Sequence, residues 1–534
     1  MLAFNACVLF LALFTTFISA VEVRYTFNIE NRTIAPDGVE RPMLIVNGQF
    51  PGPAITARVG DDIAITVSNS IVPVANIAIQ WHGILQTGTN FMDGTPWVTQ
   101  CPIVGNNQFT YRFKATQAGT YWWQAQAEGY HIDGAVGALV VYDFNDPAKA
   151  LYDVDDPSTI VVLSDYYHTE SSSLVSRYLS PEGKGIEPVP NNGLINGQNV
   201  FGTSGGQGSY NVLAFQPYRR HRLRVINVGT ATPLQFSIDG HILKVIEADG
   251  VAIQPYDVQR LTIDVGQRYS VVLNTDQRLN NYWVHAVMDT SRFSGDVSAL
   301  NTAIKAILRY RGAPIASPSG DPKAPPPDGL RDLDPSALKP LNPQNPPTVD
   351  QSIPLYVALK IQENNTPIGS VNDVTWRPPK VPILVQVKSA TPAGELTPSP
   401  MLVLPPPTPS TPPKGIEFVI NNPNSFSEPF HLRGYQFYVI SSGKGQFTPG
   451  TSPTNTDNPP RRDTITIEAN GYAVIQFVND NPGAWALHSN NQWHLRAGIF
   501  KPFVSDYEGT RQLRNTQEWQ QLCDIYNQQN PQSL

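Results

Sequence analysis

The chain has 534 residues, enough for about three or four domains that each bury a core of their own. Only 15% of the residues are charged, while 39 Gly and 49 Pro punctuate the chain, a balance that favours an extracellular all-β protein over a helical cytosolic one. The formal net charge of −7 leaves no basic excess to neutralise phosphate, which excludes nucleic acid as a partner.

In chain order, the first predicted element is a secretory signal over residues 1–20. Residues 8–18 are mostly apolar and Ile18-Ser19-Ala20 offers a small-residue cleavage site, although no Lys or Arg precedes them. No later run reaches the ~18 apolar residues of a membrane span. The tail over 517–534 is polar, so no lipid-anchor signal is expected there. Strand patterning then takes over. Residues 21–29, 63–67 and 110–113 alternate apolar and polar side chains, as 223–228 do less strictly, and Gly, Pro, Asn and Asp clusters separate them. Short strands at this spacing, with few stretches of helical period, read as sandwiches or barrels.

Composition shifts set the expected boundaries. A turn in 141–147 closes a first unit, and the Pro-, Ser- and Asp-rich stretch 312–347 reads as a linker or a long excursion. A second Pro-rich run, 397–413, reads as a surface loop. The expected organisation is a signal over 1–20, units over 21–145 and 146–315, a Pro-rich linker over 316–345, and a third unit with a C-terminal tail over 346–534. Of three cysteines, Cys7 leaves with the signal. Cys101 and Cys523 remain and, in an oxidising compartment, most simply form one disulfide that ties the tail to the first unit. Sequons at Asn31 and Asn364 agree with a secreted glycoprotein.

Four short segments carry the chemistry: Gln80-Trp81-His82-Gly83; Trp122-Trp123-Gln124-Ala125-Gln126; Glu428-Pro429-Phe430-His431-Leu432-Arg433-Gly434; and His488-Ser489-Asn490-Asn491-Gln492-Trp493-His494-Leu495. Two lie near the front and two near the end. In this order they resemble the four copper-binding signatures of multicopper oxidases, closest to the fungal laccase and ferroxidase branch. The resemblance extends through Met92-Asp93-Gly94, Cys101, Asn458 to Asp463, and Cys523. It implies three cupredoxin-like, Greek-key β-sandwich domains. It also implies a blue copper in the third domain and a trinuclear copper cluster between the first and third that reduces dioxygen. The family also pairs cysteines in the segments that hold Cys101 and Cys523.

Residue by residue, the resemblance assigns ligand positions that this chain fills differently. The first His-x-His is Gln80 and His82, and the second is Gln124 and Gln126. The His-Pro-x-His-x-His is Glu428, His431 and Arg433. The His-Cys-His is His488, Ser489 and Asn490, followed by His494, with Ile499 at the axial position. Four of the family's ten ligand histidines stay, as His82, His431, His488 and His494, and the cysteine is gone. A serine hydroxyl is neutral and hard, a poor substitute for a thiolate on copper. Arg433 sets a permanent cation where a metal cation should bind. His82, His431 and His488 would still converge as a possible three-histidine site. The blander expectation is that they bond to Gln80, Gln124, Gln126 and Asn490, that Arg433 fills the cavity against those same amides, and that His494 pairs with Glu428. Asp165 and Asp289 stand at positions of substrate-side acids in the family.

These readings lead to a multicopper-oxidase-like, laccase-like secreted protein, located extracellularly or in a cell wall, that has lost copper-dependent oxidase activity. It is read as a pseudoenzyme and a non-catalytic binding protein, expected to be a monomer. Its expected ligand is a phenolic, a wall polymer or a protein. No cofactor is expected, and at most one residual metal ion. The alternatives are a residual metalloenzyme or metal-binding protein, and an active laccase or ferroxidase-type oxidoreductase.

Overall fold

The alternating run at the start becomes the strand Glu22–Ile34, with Phe27 and Ile29 fully buried. The computed structural model describes residues 21–73, 75–126, 129–202, 207–319, 329–407 and 414–530; the signal expected over 1–20 lies outside them. In the first unit, the sheet Arg41–Val46, Glu22–Ile34, Asp62–Asn69, Gln108–Lys114 faces the sheet Ile55–Arg58, Val136–Tyr142, Gly119–Gln126, Ala78–His82. One core joins them, with Ile65, Val67 and Phe109 from the first sheet against Trp81, Tyr121 and Leu139 from the second. The chain crosses between the sheets repeatedly, as a Greek key does.

The plan recurs twice, each time as a six-stranded sheet with a five-stranded one. In every unit an early strand pairs in parallel with a later one. The pairs are Glu22–Ile34 with Asp62–Asn69, Ile160–Tyr166 with Arg220–Asn227, and Thr348–Ile361 with Lys414–Asn422. The expectation of an all-β chain of three β-sandwiches holds.

Three stretches differ from their sequence reading. Part of the Pro-rich segment packs on the second sandwich: Leu333 and Leu338 enter its core, and Asp332 pairs with Arg260. The run read as a surface loop contains the strand Leu402–Leu404, paired in parallel with Phe500–Ser505, because its apolar residues can cover that sheet edge. The polar tail forms the helix Gln517–Gln529, capped by Thr516. It buries Trp519, Leu522 and Tyr526, which share one face at helical spacing. Cys523 of this helix is bonded to Cys101, the expected disulfide.

The first two sandwiches are tied by a buried carboxylate. Glu247 accepts the Thr120 backbone N–H at 2.8 Å and the Ser270 hydroxyl at 2.9 Å, and it pairs with Arg222 and Arg224. Burial raises its pKa, but the two guanidinium groups outweigh this and hold it at about 2, below the usual 4.5. A depressed carboxyl contributes stability above its unfolded pKa and loses it as pH falls through the folded one. Between pH 4.5 and 2 the fold should therefore lose about 3 kcal/mol on this account. Chemical denaturation across that range, with Glu247→Gln as the variant whose acid slope is flattened, checks it.

Candidate functional site

The third sandwich sets its histidines by strand register. In the antiparallel pair Glu428–Leu432 and Gly483–Ser489, His431 lies opposite His488; on its other edge His431 lies opposite Thr464. His82 ends the strand Ala78–His82 of the first sandwich and reaches across. Its ring stacks on His431 with centroids 3.8 Å apart, and its Nε2 lies 3.3 Å from the Thr464 hydroxyl. All three imidazoles are buried. His488 Nδ1 donates to the Ser489 carbonyl at 2.8 Å, and His431 Nδ1 to the Asp463 carbonyl at 2.9 Å. A carbonyl only accepts, so both rings carry a proton on Nδ1 and turn Nε2 to other use. Burial, reinforced by His431 and Arg268, holds His82 well below the usual histidine range. Burial, reinforced by Arg433 and His431, does the same for His488. Both are neutral imidazoles at physiological pH. His82 Nδ1 and His488 Nε2 have no hydrogen-bond partner among the described residues.

Donor atoms of His82, His431 and Asp463 lie within 4.8 Å of one another. Asp463 is also held by Arg268 through two bonds of 2.6 Å. The surrounding amides take other partners than the sequence suggested. Gln124 and Gln126 both donate to Gln80 Oε1, at 2.7 and 2.8 Å, and Asn490 donates to the Val265 carbonyl at 3.1 Å. The histidines therefore bond to Thr464 and to backbone carbonyls rather than to the amides. Arg433 is buried as expected, yet its Nη1 turns to Asp93 Oδ2 at 3.3 Å and to the Thr95 hydroxyl, not to Gln124, Gln126 or Asn490. A carboxylate offsets a buried guanidinium better than an amide does, and Asp93 was within reach.

The second cluster lies on the other side of the Glu428 strand. Glu428 and Ser489 come from paired strands in which Ser489 lies opposite Phe430, and Ser489 Oγ donates diagonally to Glu428 Oε1. His494, on the helix Gln492–Ala497, bonds Glu428 Oε2 through Nδ1 at 2.5 Å and Glu187 Oε1 through Nε2 at 2.6 Å. Burial lowers the His494 pKa, but the two carboxylates raise it to about 10, so the ring is an imidazolium between two anions. Ile499 is fully buried and adds no polar atom. Glu187 comes from the second unit, about 300 residues away in sequence, and no local motif around it announced the contact. Asp93 and Asp463 lie in segments that carry the family resemblance without a ligand role, and Thr95 and Thr464 lie just outside them, so none was marked as a partner.

The two acids expected on the substrate side part company. Asp165 is buried and accepts backbone N–H groups from Thr230 and Ala231 at 2.8 and 2.9 Å. Asp289 instead lines a cleft of about 640 Å³ between the second and third sandwiches, together with Asp264 and Arg292.

Sequence models of multicopper oxidase domains match residues 28–146, 157–313 and 376–508. The chain belongs to the multicopper oxidase family. It is 34% identical to Laccase-1 of Agaricus bisporus over 539 residues, covering 99% of each chain. It is 36% identical to Laccase-4 of Trametes villosa over 514 residues, covering 93% of each. The fold superposes on a laccase from Botrytis aclada with a TM-score of 0.85 at 31% identity, covering 97% of this chain and 94% of that one. It superposes equally, at 26% identity and 95% coverage of both chains, on Fet3p, a multicopper oxidase that functions in iron import.

These relatives correct one expectation. The absence of a cofactor is overturned: full-length similarity to laccases and multicopper oxidases points to copper. The residues present fit it unevenly. Neutral His82 and His488 each keep a ring nitrogen that is unpartnered among the described residues, the donor that copper takes, and His431 stacks on His82 beside them. The Glu428–Ser489–His494–Glu187 cluster has no thiolate, and its imidazole nitrogens are both engaged, so it does not fit.

A histidine raised from 6.5 to about 10 contributes stability that is complete below pH 6.5 and is lost as pH rises towards 10. Glu428→Gln should remove much of that alkaline slope and destabilise the fold by about 3 kcal/mol at pH 7, because it breaks a buried ion pair. Melting temperatures of both proteins between pH 6 and 10 check it.

Proposed function

We propose that this laccase-like chain is a secreted protein that no longer carries out four-copper oxygen reduction, and that it acts outside the cell or in the wall as a binding protein with one copper ion. The observation that carries the reading is the imidazolium of His494 held between Glu428 and Glu187, with Ser489 bonded to the same Glu428. A soft thiolate is what a blue site requires, and this cluster is satisfied internally by protons instead. Copper would be held by His82, His431 and His488, and when bound it supplies a one-electron redox couple and a Lewis acid. Around it, Ser489 and Asp463 accept the His488 and His431 N–H bonds that orient the rings, and Arg433 keeps a fixed positive charge beside His488. That charge opposes a second and third ion in the same cavity. Secretion is supported by the apolar leader, the Cys101–Cys523 disulfide and the exposed sequon residues Asn31 and Asn364.

A second reading, an active phenol oxidase, is favoured by the names of the relatives and by Asp289 in the lining of a sizeable cleft. One set of measurements separates the two. After copper loading, the purified protein should hold one copper per chain, show no intense blue absorption, and consume no oxygen with phenols or ferrous iron. His431→Ala with His488→Ala should release the copper. Arg433→His alone should restore no oxygen reduction. A blue band or substrate-dependent oxygen uptake in the unaltered protein would overturn the reading in favour of the oxidase.

A further inference from the structure

A second cleft, of about 490 Å³, opens where the first and third sandwiches meet the helix Ser171–Tyr178. Its volume is that of a small-molecule site. Aromatic rings form two pairs in its walls. Trp97 meets Tyr526 edge to face with centroids 5.0 Å apart, and Trp376 leans on Phe500 at 4.6 Å. Arg377, exposed, supplies a positive charge at the cleft, and Arg496, half-buried, also lines it.

The cleft is braced. The disulfide Cys101–Cys523 joins the segment of Trp97 to the helix of Tyr526. Trp97 itself sits at φ +68, in the left-handed region that a bulky side chain rarely adopts. Its backbone is held there by bonds from its N–H to the Gln100 carbonyl and from the Ile383 N–H to its own carbonyl. Trp97 is half-buried and lines the cleft, and backbone conformations of this kind cluster at ligand-binding positions. Thr95 and Gln126 also line the cleft, and Thr95 carries the Arg433 guanidinium behind it.

From these features we propose that the cleft is a binding site for an aromatic carboxylate: a planar ring held among Trp97, Trp376 and Tyr526, with its carboxylate paired to Arg377. Ring faces and edges suit stacked aromatic partners, and a guanidinium pairs with a carboxylate in a planar, two-bond geometry. A neutral phenol would lose the ion pair, and an aliphatic acid would lose the ring contacts. The site names a ligand class for the binding role proposed above. It uses none of the copper-site histidines, so the two readings stand or fall separately.

Calorimetric titration of the full-length protein with 4-hydroxycinnamate tests it, with 4-hydroxycinnamyl alcohol and hexanoate as controls. The acid should bind with a Kd of about 0.1 mM or tighter, and each control at least tenfold more weakly. Arg377→Glu, on the surface, should weaken the acid at least tenfold. Trp97→Gly should do the same while keeping the backbone, because glycine accepts a positive φ without strain. Added salt should weaken the acid and leave the alcohol unchanged. The proposal is overturned by no binding at millimolar acid, by equal affinity for either control, or by an unchanged affinity in Arg377→Glu. If Trp97→Gly fails to fold, the Arg377 variant and the two controls still decide.

Discussion

One guanidinium joins the three sandwiches. Arg268, fully buried in the second unit, donates to the Thr120 carbonyl of the first unit at 2.9 Å and holds both carboxylate oxygens of Asp463 in the third at 2.6 Å. Asp249, at 3.4 Å, shares the charge and accepts from Arg462, which again crosses from the third unit to the second. Such a cation is costly to bury alone and strongly favoured among its partners, so the three units are held to one relative arrangement. The strand register that sets His431 opposite His488 would be of little use otherwise, since His82 arrives from another unit. Gly83, next to His82, shows how tight the junction is: a side chain there would lie 2.6 Å from Arg268 and 2.9 Å from Asp463, at a φ of +88. The glycine after His82 is thus a requirement of packing against the ion pair, whatever the histidine does.

Around this junction the chain keeps its buried polarity and redistributes it. At one place Arg433 is set against Asp93, and at another an imidazolium is set between two carboxylates. Neither is a hydrophobic filling, although such a filling is often at least as stable. The difference between the two clusters is protonation. His494 is held charged by carboxylates on both sides, while His82 and His488 are held neutral by burial beside other cations. Only the neutral set has lone pairs to offer a metal.

The fold was legible because its signals are local. Alternation, turn residues and four ordered motifs are read within a few residues, and each of them led to a strand or a cluster where expected. The tail helix was missed because its apolar face is only Trp519, Leu522 and Tyr526 in a polar stretch, and its stability comes from packing and a disulfide rather than from composition. Within the site, motif positions identified which side chains gather but not whom they touch. Glu187 lies in no motif and Asp93 in one that names no partner, and each meets its partner only after chain segments hundreds of residues apart have folded together. The bonding of Arg433 was misjudged for the same reason: proximity in a list of motifs favoured the amides, while proximity in space favoured the carboxylate.

In the second cluster the residues depend on one another: the Ser489 hydroxyl donates to Glu428, and Glu428 in turn holds His494. A thiol at position 489 would find a carboxylate where a thiolate needs a neutral or positive neighbour. Repulsion between like charges and full burial would both raise the thiol pKa and keep it protonated. A metal entering there would have to displace the His494 proton from between two anions, against a pKa raised to about 10. Glu187 would remain as a buried charge without its partner. Serine, two glutamates and a charged histidine therefore form one self-consistent arrangement, and exchanging any one of them for a copper ligand leaves the others arranged against a thiolate and a metal.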